Sequence, residues 1–160
     1  MNRIMTGLMR ERLPAGFSIL ALVVAVACGD KSTPTTPAPT QLDVSGRWAT
    51  DITVQGVTGR MTWTLAQTGG GVTGPVLVSV SSGFVLLNGF LTGTVTGTSM
   101  AYTIAVGPGG IPSQPTCSGQ LGGTMTVTSG VVSTMTGPMS VIASNCPIQL
   151  PVNAITLTKQ

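Results

Sequence analysis

Charge is scarce in this chain. Asp, Glu, Lys and Arg together make up 7% of its 160 residues, against roughly a quarter in an ordinary soluble domain. Histidine is absent and Glu11 is the sole glutamate, so an imidazole base, a proton shuttle and a His metal ligand are all excluded. The aspartates are Asp30, Asp43 and Asp51, too few and too scattered to pair for glycoside hydrolysis. No His/Cys cluster has metal-ligand spacing, and no serine has a base partner in the sequence. Gly69-Gly70-Gly71 and Gly107-Pro108-Gly109-Gly110 are followed neither by a phosphate-loop lysine nor by a helix start, and read as turns. Aromatics are only 4% of the chain. A membrane-spanning barrel needs an apolar outer band with aromatic girdles, which so few aromatics cannot supply. These shortages argue against an enzyme and predict neither cofactor nor metal. Without a basic face, no nucleic-acid partner is expected.

The charge that exists is concentrated at the start. Arg3, Arg10 and Arg12 precede an apolar run from Phe17 to Ala27. A basic start, a short apolar run and small residues before a cysteine follow the order of a secretory signal. The run is too short for a bilayer core that needs about 20 residues. It ends Val24-Ala25-Val26-Ala27-Cys28-Gly29. This resembles the lipobox of bacterial lipoproteins, although the position three before the cysteine is Ala25 where the family usually has Leu, Ile or Val. The resemblance implies cleavage before Cys28, lipid on its sulfur and acylation of its new amino group, and so a membrane partner reached through the N-terminal lipid. Several acyl chains at about 0.8 kcal/mol per methylene give stable anchoring. Gly29 follows the cysteine where the family's inner-membrane retention signal would be Asp, which points to the outer membrane of a bacterial envelope.

Residues 1–27 are therefore expected to be a signal peptide, residues 28–42 a lipidated tether and residues 43–160 the folded domain. Gly29 to Thr40 reads GDKSTPTTPAPT. With no large apolar residue it cannot build a core, and its prolines favour an extended spacer of roughly 35 Å.

From Asp43 onward no window has helical spacing. Val and Thr recur with a period of two, as suits a pleated surface. Trp48, Thr50, Ile52 and Val54 share one face of a first strand. Met61, Trp63 and Leu65 share a face of the second, and Val76, Val78 and Val80 of the third. Phe84 to Thr96 is broken by Gly89 and Gly93, which leaves its register open. Met100, Tyr102, Ile104 and Val106 alternate with Ala101, Thr103 and Ala105. Leu121, Met125 and Val127 alternate with threonines. Val132 to Ala143 is interrupted at Gly137-Pro138, and Ala154 to Lys159 closes the chain. About eight short strands joined by Gly-rich turns predict an all-β fold. An antiparallel up-and-down β-barrel is expected, because closure removes edges that so little charge could guard. A β-sandwich is the alternative.

Cys117 and Cys146 flank the sixth and seventh strands, and their midpoint falls beside the Ser129-Gly130 turn signal. A hairpin folded there places the two residues almost opposite, at the separation a disulfide requires. Export permits its oxidation; a pair of free thiols is the alternative. Cys28, taken by lipid, accounts for the odd count of three.

Ser45-Gly46-Arg47-Trp48 resembles the first-strand G-x-W motif of the lipocalin and avidin superfamily. The resemblance implies that Gly46 starts the strand and that Trp48 plugs one end of the barrel. It also implies a late basic residue over the tryptophan, for which Lys159 is the candidate. Read on its own, Trp48 is equally a core aromatic. Avidins ring their ligand with several tryptophans; with Trp48 and Trp63 alone, biotin is not the expected ligand. The TGT and SGT turns and the late cysteine pair also resemble small bacterial lipoproteins.

Trp48, Met61, Trp63, Tyr102 and Met125, with Met135 and Met139, are candidates to line a cavity for a small apolar ligand. Methionine also fills packed cores, and an eight-stranded barrel can be filled or hollow. The expectation is a non-enzymatic envelope lipoprotein that binds such a ligand. The alternatives are a structural or protein-interaction module of the envelope, or an inhibitor of an exported hydrolase acting through the Pro-rich loop from Gly107 to Pro115.

Overall fold

The computed structural model describes residues 41–54, 56–146 and 154–160. The expected signal peptide, Cys28 and the expected tether up to Thr40 lie outside the described residues.

The domain is all β. β1 (Gly46–Val54), β2 (Val57–Thr68), β3 (Gly71–Ser79), β4 (Val85–Thr96), β5 (Ser99–Val106) and β6 (Gly119–Thr128) pair antiparallel, each with the next. β7 (Thr134–Pro138) returns along β6 and pairs on its other side with β9 (Ala154–Lys159), which pairs with β1. The result is a closed 8-strand up-and-down barrel. The first and last strands are joined, where a sandwich of two sheets would leave them unpaired. β8 (Ser140–Ser144) is one extra strand. It continues along β6 beyond β7, with Gly119 opposite Ser144 and Gly122 opposite Ser140. The Gly137-Pro138 interruption is thus the place where one long strand breaks in two.

Two features set the barrel's shape. Gly46 has φ +112°, a conformation that a side chain strains. It lets the chain turn from the Asp43–Ser45 segment into β1 and leaves room for Lys159, whose Cε would lie 3.2 Å from a Cβ built there. In β3, Pro75 has no N–H to donate, and the β2–β3 ladder lapses between the pairs Trp63↔Val76 and Ala66↔Thr73. The strands close up at this gap, and a Cβ on Gly74 would fall on the Thr64 carbonyl.

The inward faces make one core. Trp48, Trp63, Leu91, Met100, Met125, Met135 and Leu157 are fully buried. Among the described residues no polar or charged residue is buried. The outer wall is largely Thr, Ser and Gly, with Arg60 and Asp51 paired across β1 and β2 at 3.5 Å. Both are well exposed, so the pair adds at most a few tenths of a kcal/mol.

A candidate ligand cavity at one end of the barrel

The two ends of the barrel differ because side-chain volume is distributed unevenly along the strands. At the first end, where β1 begins, Trp48 lies directly opposite Trp63. Trp63 packs on Tyr102 with ring centroids 4.9 Å apart. Val44 folds over the opening; its carbonyl accepts the Trp48 Nε1 hydrogen at 2.8 Å and its N–H donates to Gln67 Oε1 at 2.8 Å. Gln41 donates to the Val95 carbonyl from the same side. The Lys159 Nζ sits 5.5 Å from the centre of the Trp48 ring, in cation–π range. The chain therefore enters the barrel through a plugged end, as the G-x-W resemblance implies.

Tyr102 belongs to this filled region. Its hydroxyl donates to the Pro138 carbonyl at 3.1 Å, and burial pushes its pKa well above the ordinary 10.0. It is the chain's only tyrosine, so phenolate absorbance at 295 nm reports on it alone. The fold favours the neutral phenol, and the raised value has a definite sign. Stability is unaffected below about pH 10 and falls as the pH rises above it, because the unfolded chain then loses a proton that the folded chain keeps. Phenolate absorbance is expected to rise only together with unfolding; a free titration near 10 in the folded protein would contradict the burial.

Beyond the tryptophan layer the inward positions shrink. Gly59, Gly89 and Gly119 alternate there with Ile, Val and Leu. Among the aliphatic side chains of this end lies a cavity of about 260 Å³, of whose wall Gly119 is a part. Met61, Val76 and Ile104 form its floor, all at most 2% exposed. Val78, Val106 and Leu121 form its sides. Its rim is Ile52 and Val57 from the first hairpin, Leu86 and Leu87 from β4, and Val141 and Ala143 from β8. The segment between β5 and β6 supplies a further wall through Ile111, which is buried. That segment is held against the barrel by Gly110, whose carbonyl accepts the Asn88 N–H at 2.7 Å, and by Gly109, whose N–H donates to Pro115 at 2.7 Å. Cys117 is joined to Cys146 by a disulfide with Cα atoms 5.1 Å apart, and Cys146 itself lines the cavity.

Of the candidate lining residues, Met61 stands in the cavity wall. Trp48, Trp63, Tyr102 and Met125 do not. They are packed against one another and their neighbours toward the plugged end, and their bulk is the reason no space remains there. Met139 lines the cavity, whereas Met135 is part of the filled core. Ile52, Val76, Val78, Ile104, Val106 and Leu121 were read from the sequence as sharing strand faces, but not as a site, and Val57, Leu86, Leu87, Ile111 and Val141 were not assigned a face. The available signal was the gradient of size along β1, β2 and β5, from Trp, Tyr and Met to Ile, Val and Gly.

The fold and the cavity define a closed antiparallel barrel with one plugged end and one apolar, partly open end. Compared with models of known protein families, with curated proteins and with solved structures, the chain matches none.

Proposed function

We propose that this protein is a lipid-anchored binding protein of the bacterial envelope that holds a small apolar molecule inside its barrel. The apolar cavity of about 260 Å³ is the observation that carries this reading. Concave, mostly apolar sites with few polar groups are the usual form of small-molecule sites. The plugged end with Lys159 over Trp48 adds to the likeness to lipocalins. The anchor rests on the lipobox-like sequence ending at Cys28, and export through it suits the disulfide.

The test is displacement of an uncharged, environment-sensitive dye from the full-length chain. Saturable binding at one site per chain is expected, and its absence overturns the ligand reading. Val78→Trp places an indole in the cavity. It should abolish dye binding while the melting temperature stays within a few degrees, which separates loss of the site from loss of the fold. Labelled palmitate should enter the wild-type chain and not Cys28→Ser; incorporation into both would remove the anchor.

A second reading, a protein-interaction module, draws on Leu77 and Phe90, which are 38% and 51% exposed on the outer wall beside Pro75. It predicts that Phe90→Ser loses an envelope partner that Val78→Trp retains.

A further inference from the structure

The cavity has another property, which is the charge its surroundings lack. From Met61 to Thr158 the sequence contains no Asp, Glu, Lys, Arg or His, so β3 to β8 and the segments between them bring no charge to the mouth. The nearest charged residues on the opening hairpin, Asp51 and Arg60, alternate with the inward Ile52 and Met61 and so point outward. They are engaged with each other at 3.5 Å, and Arg60 also donates to Gln160 Oε1 at 2.9 Å. Among the described residues, the polar side chains in the lining are the hydroxyls of Ser113 and Ser144, both on the exposed rim. Ser144 Oγ already accepts the Cys146 N–H at 2.9 Å.

A carboxylate drawn into this site would give up water and meet no counter-charge, which is costly. A hydroxyl or ester left at the rim keeps either a serine partner or solvent. Size adds a second constraint. A dry cavity of about 150 Å³ holds benzene, so about 260 Å³ suits a chain or ring system of roughly ten carbon atoms. Resting on the ligand-binding reading above, we propose that the cavity selects uncharged apolar molecules of about this size, with at most one alcohol- or ester-sized polar end at the Ser113–Ser144 rim, and rejects the corresponding carboxylates.

The matched probes are 1-decanol and decanoate, used below their aggregation limits at about pH 8, where a carboxylic acid is ionised. Each competes with the uncharged dye on the full-length protein. Decanol is expected to bind at least about 30-fold more tightly than decanoate. Equal affinities overturn the selectivity while leaving the cavity a ligand site. Failure of both probes to compete, with the dye itself not binding, overturns both readings. Dye binding that neither probe competes for overturns the size and class proposed here and leaves the ligand reading standing. Ser113→Arg puts a cation at the rim on an exposed position. It should raise decanoate affinity by about tenfold, one counter-charge's worth, without raising that of decanol, whose hydroxyl loses one serine partner. No gain for decanoate, in a variant that still binds decanol, overturns missing counter-charge as the basis of selection.

Discussion

Gly74→Ala is expected to lower the free energy of unfolding by about 3 kcal/mol or more, and Gly107→Ala to leave it within about 0.5 kcal/mol. The contrast isolates shape from composition, since both substitutions add one methyl group to a glycine-rich chain. At Gly74 the new Cβ would land on the backbone carbonyl of Thr64 and within 3.1 Å of the Leu65 Cα. Backbone on a neighbouring strand cannot rotate aside as a side chain would, so β2 and β3 must separate. The gap beside Pro75 is flanked by the paired positions Trp63↔Val76 and Ala66↔Thr73, and separating the strands strains the ladder on both sides. Gly107 has nothing within 4 Å of an added Cβ and needs no positive φ. Urea unfolding followed by the fluorescence of the two buried tryptophans measures both variants. Similar stabilities would show that β2 and β3 do not approach as closely as described. Because domains of this size are stable by only about 5–15 kcal/mol, the Gly74 variant should also melt well below the wild type.

How much of this was open to sequence reading follows from what each residue pattern can encode. Period-two alternation reports which face a side chain takes, so Met100, Tyr102, Ile104 and Val106 were legible as the inner face of β5, and they are its buried positions. The Gly137-Pro138 break was legible because proline cannot donate within a central ladder. The disulfide was legible because a hairpin is nearly symmetric about its turn, which makes distance along the chain a proxy for distance in space. Alternation carries no information about which end of one strand meets which end of the next. That depends on register, and register sorted the bulky residues from the small ones: Trp48 opposite Trp63, but Ile52 opposite Gly59. The candidate lining therefore gathered the large residues, which fill the barrel, and overlooked the Val, Ile and Leu positions that leave it hollow. The loop from Gly107 to Pro115 is largely exposed, as its composition suggests. What its composition did not show is that one buried side chain, Ile111, packs inward as part of the cavity wall.

Removing the disulfide, by Cys117→Ser with Cys146→Ser or by reduction, should cost about 3.5 kcal/mol of stability and weaken ligand binding by at least about tenfold. The first effect follows from chain entropy. The bridge spans a sequence separation of 29, and opening a loop of that size enlarges the unfolded ensemble. The second follows from position. Cys117 ends the segment that carries Ile111 and Ser113, and Cys146 lies just past β8, which carries Val141, Ala143 and Ser144; all five residues line the cavity. Past the end of the β6–β8 ladder at Gly119↔Ser144, what joins these two walls beside the bridge is a small polar cluster. Ser118 N–H donates to Asn145 Oδ1 at 2.7 Å, and Asn145 N–H donates to the Ser118 carbonyl at 3.1 Å. Exposed bonds of this kind contribute about 1 kcal/mol each, too little to hold a rim in one arrangement once the covalent link is gone. The plugged end shares none of these residues, so the Trp63–Tyr102 packing and the tryptophan fluorescence should persist in the reduced protein at moderate temperature. Dye titration and urea unfolding of the same oxidised and reduced samples separate the two effects. A reduced protein that is destabilised but binds as tightly as the oxidised form would mean that the bridge braces the fold and takes no part in shaping the site.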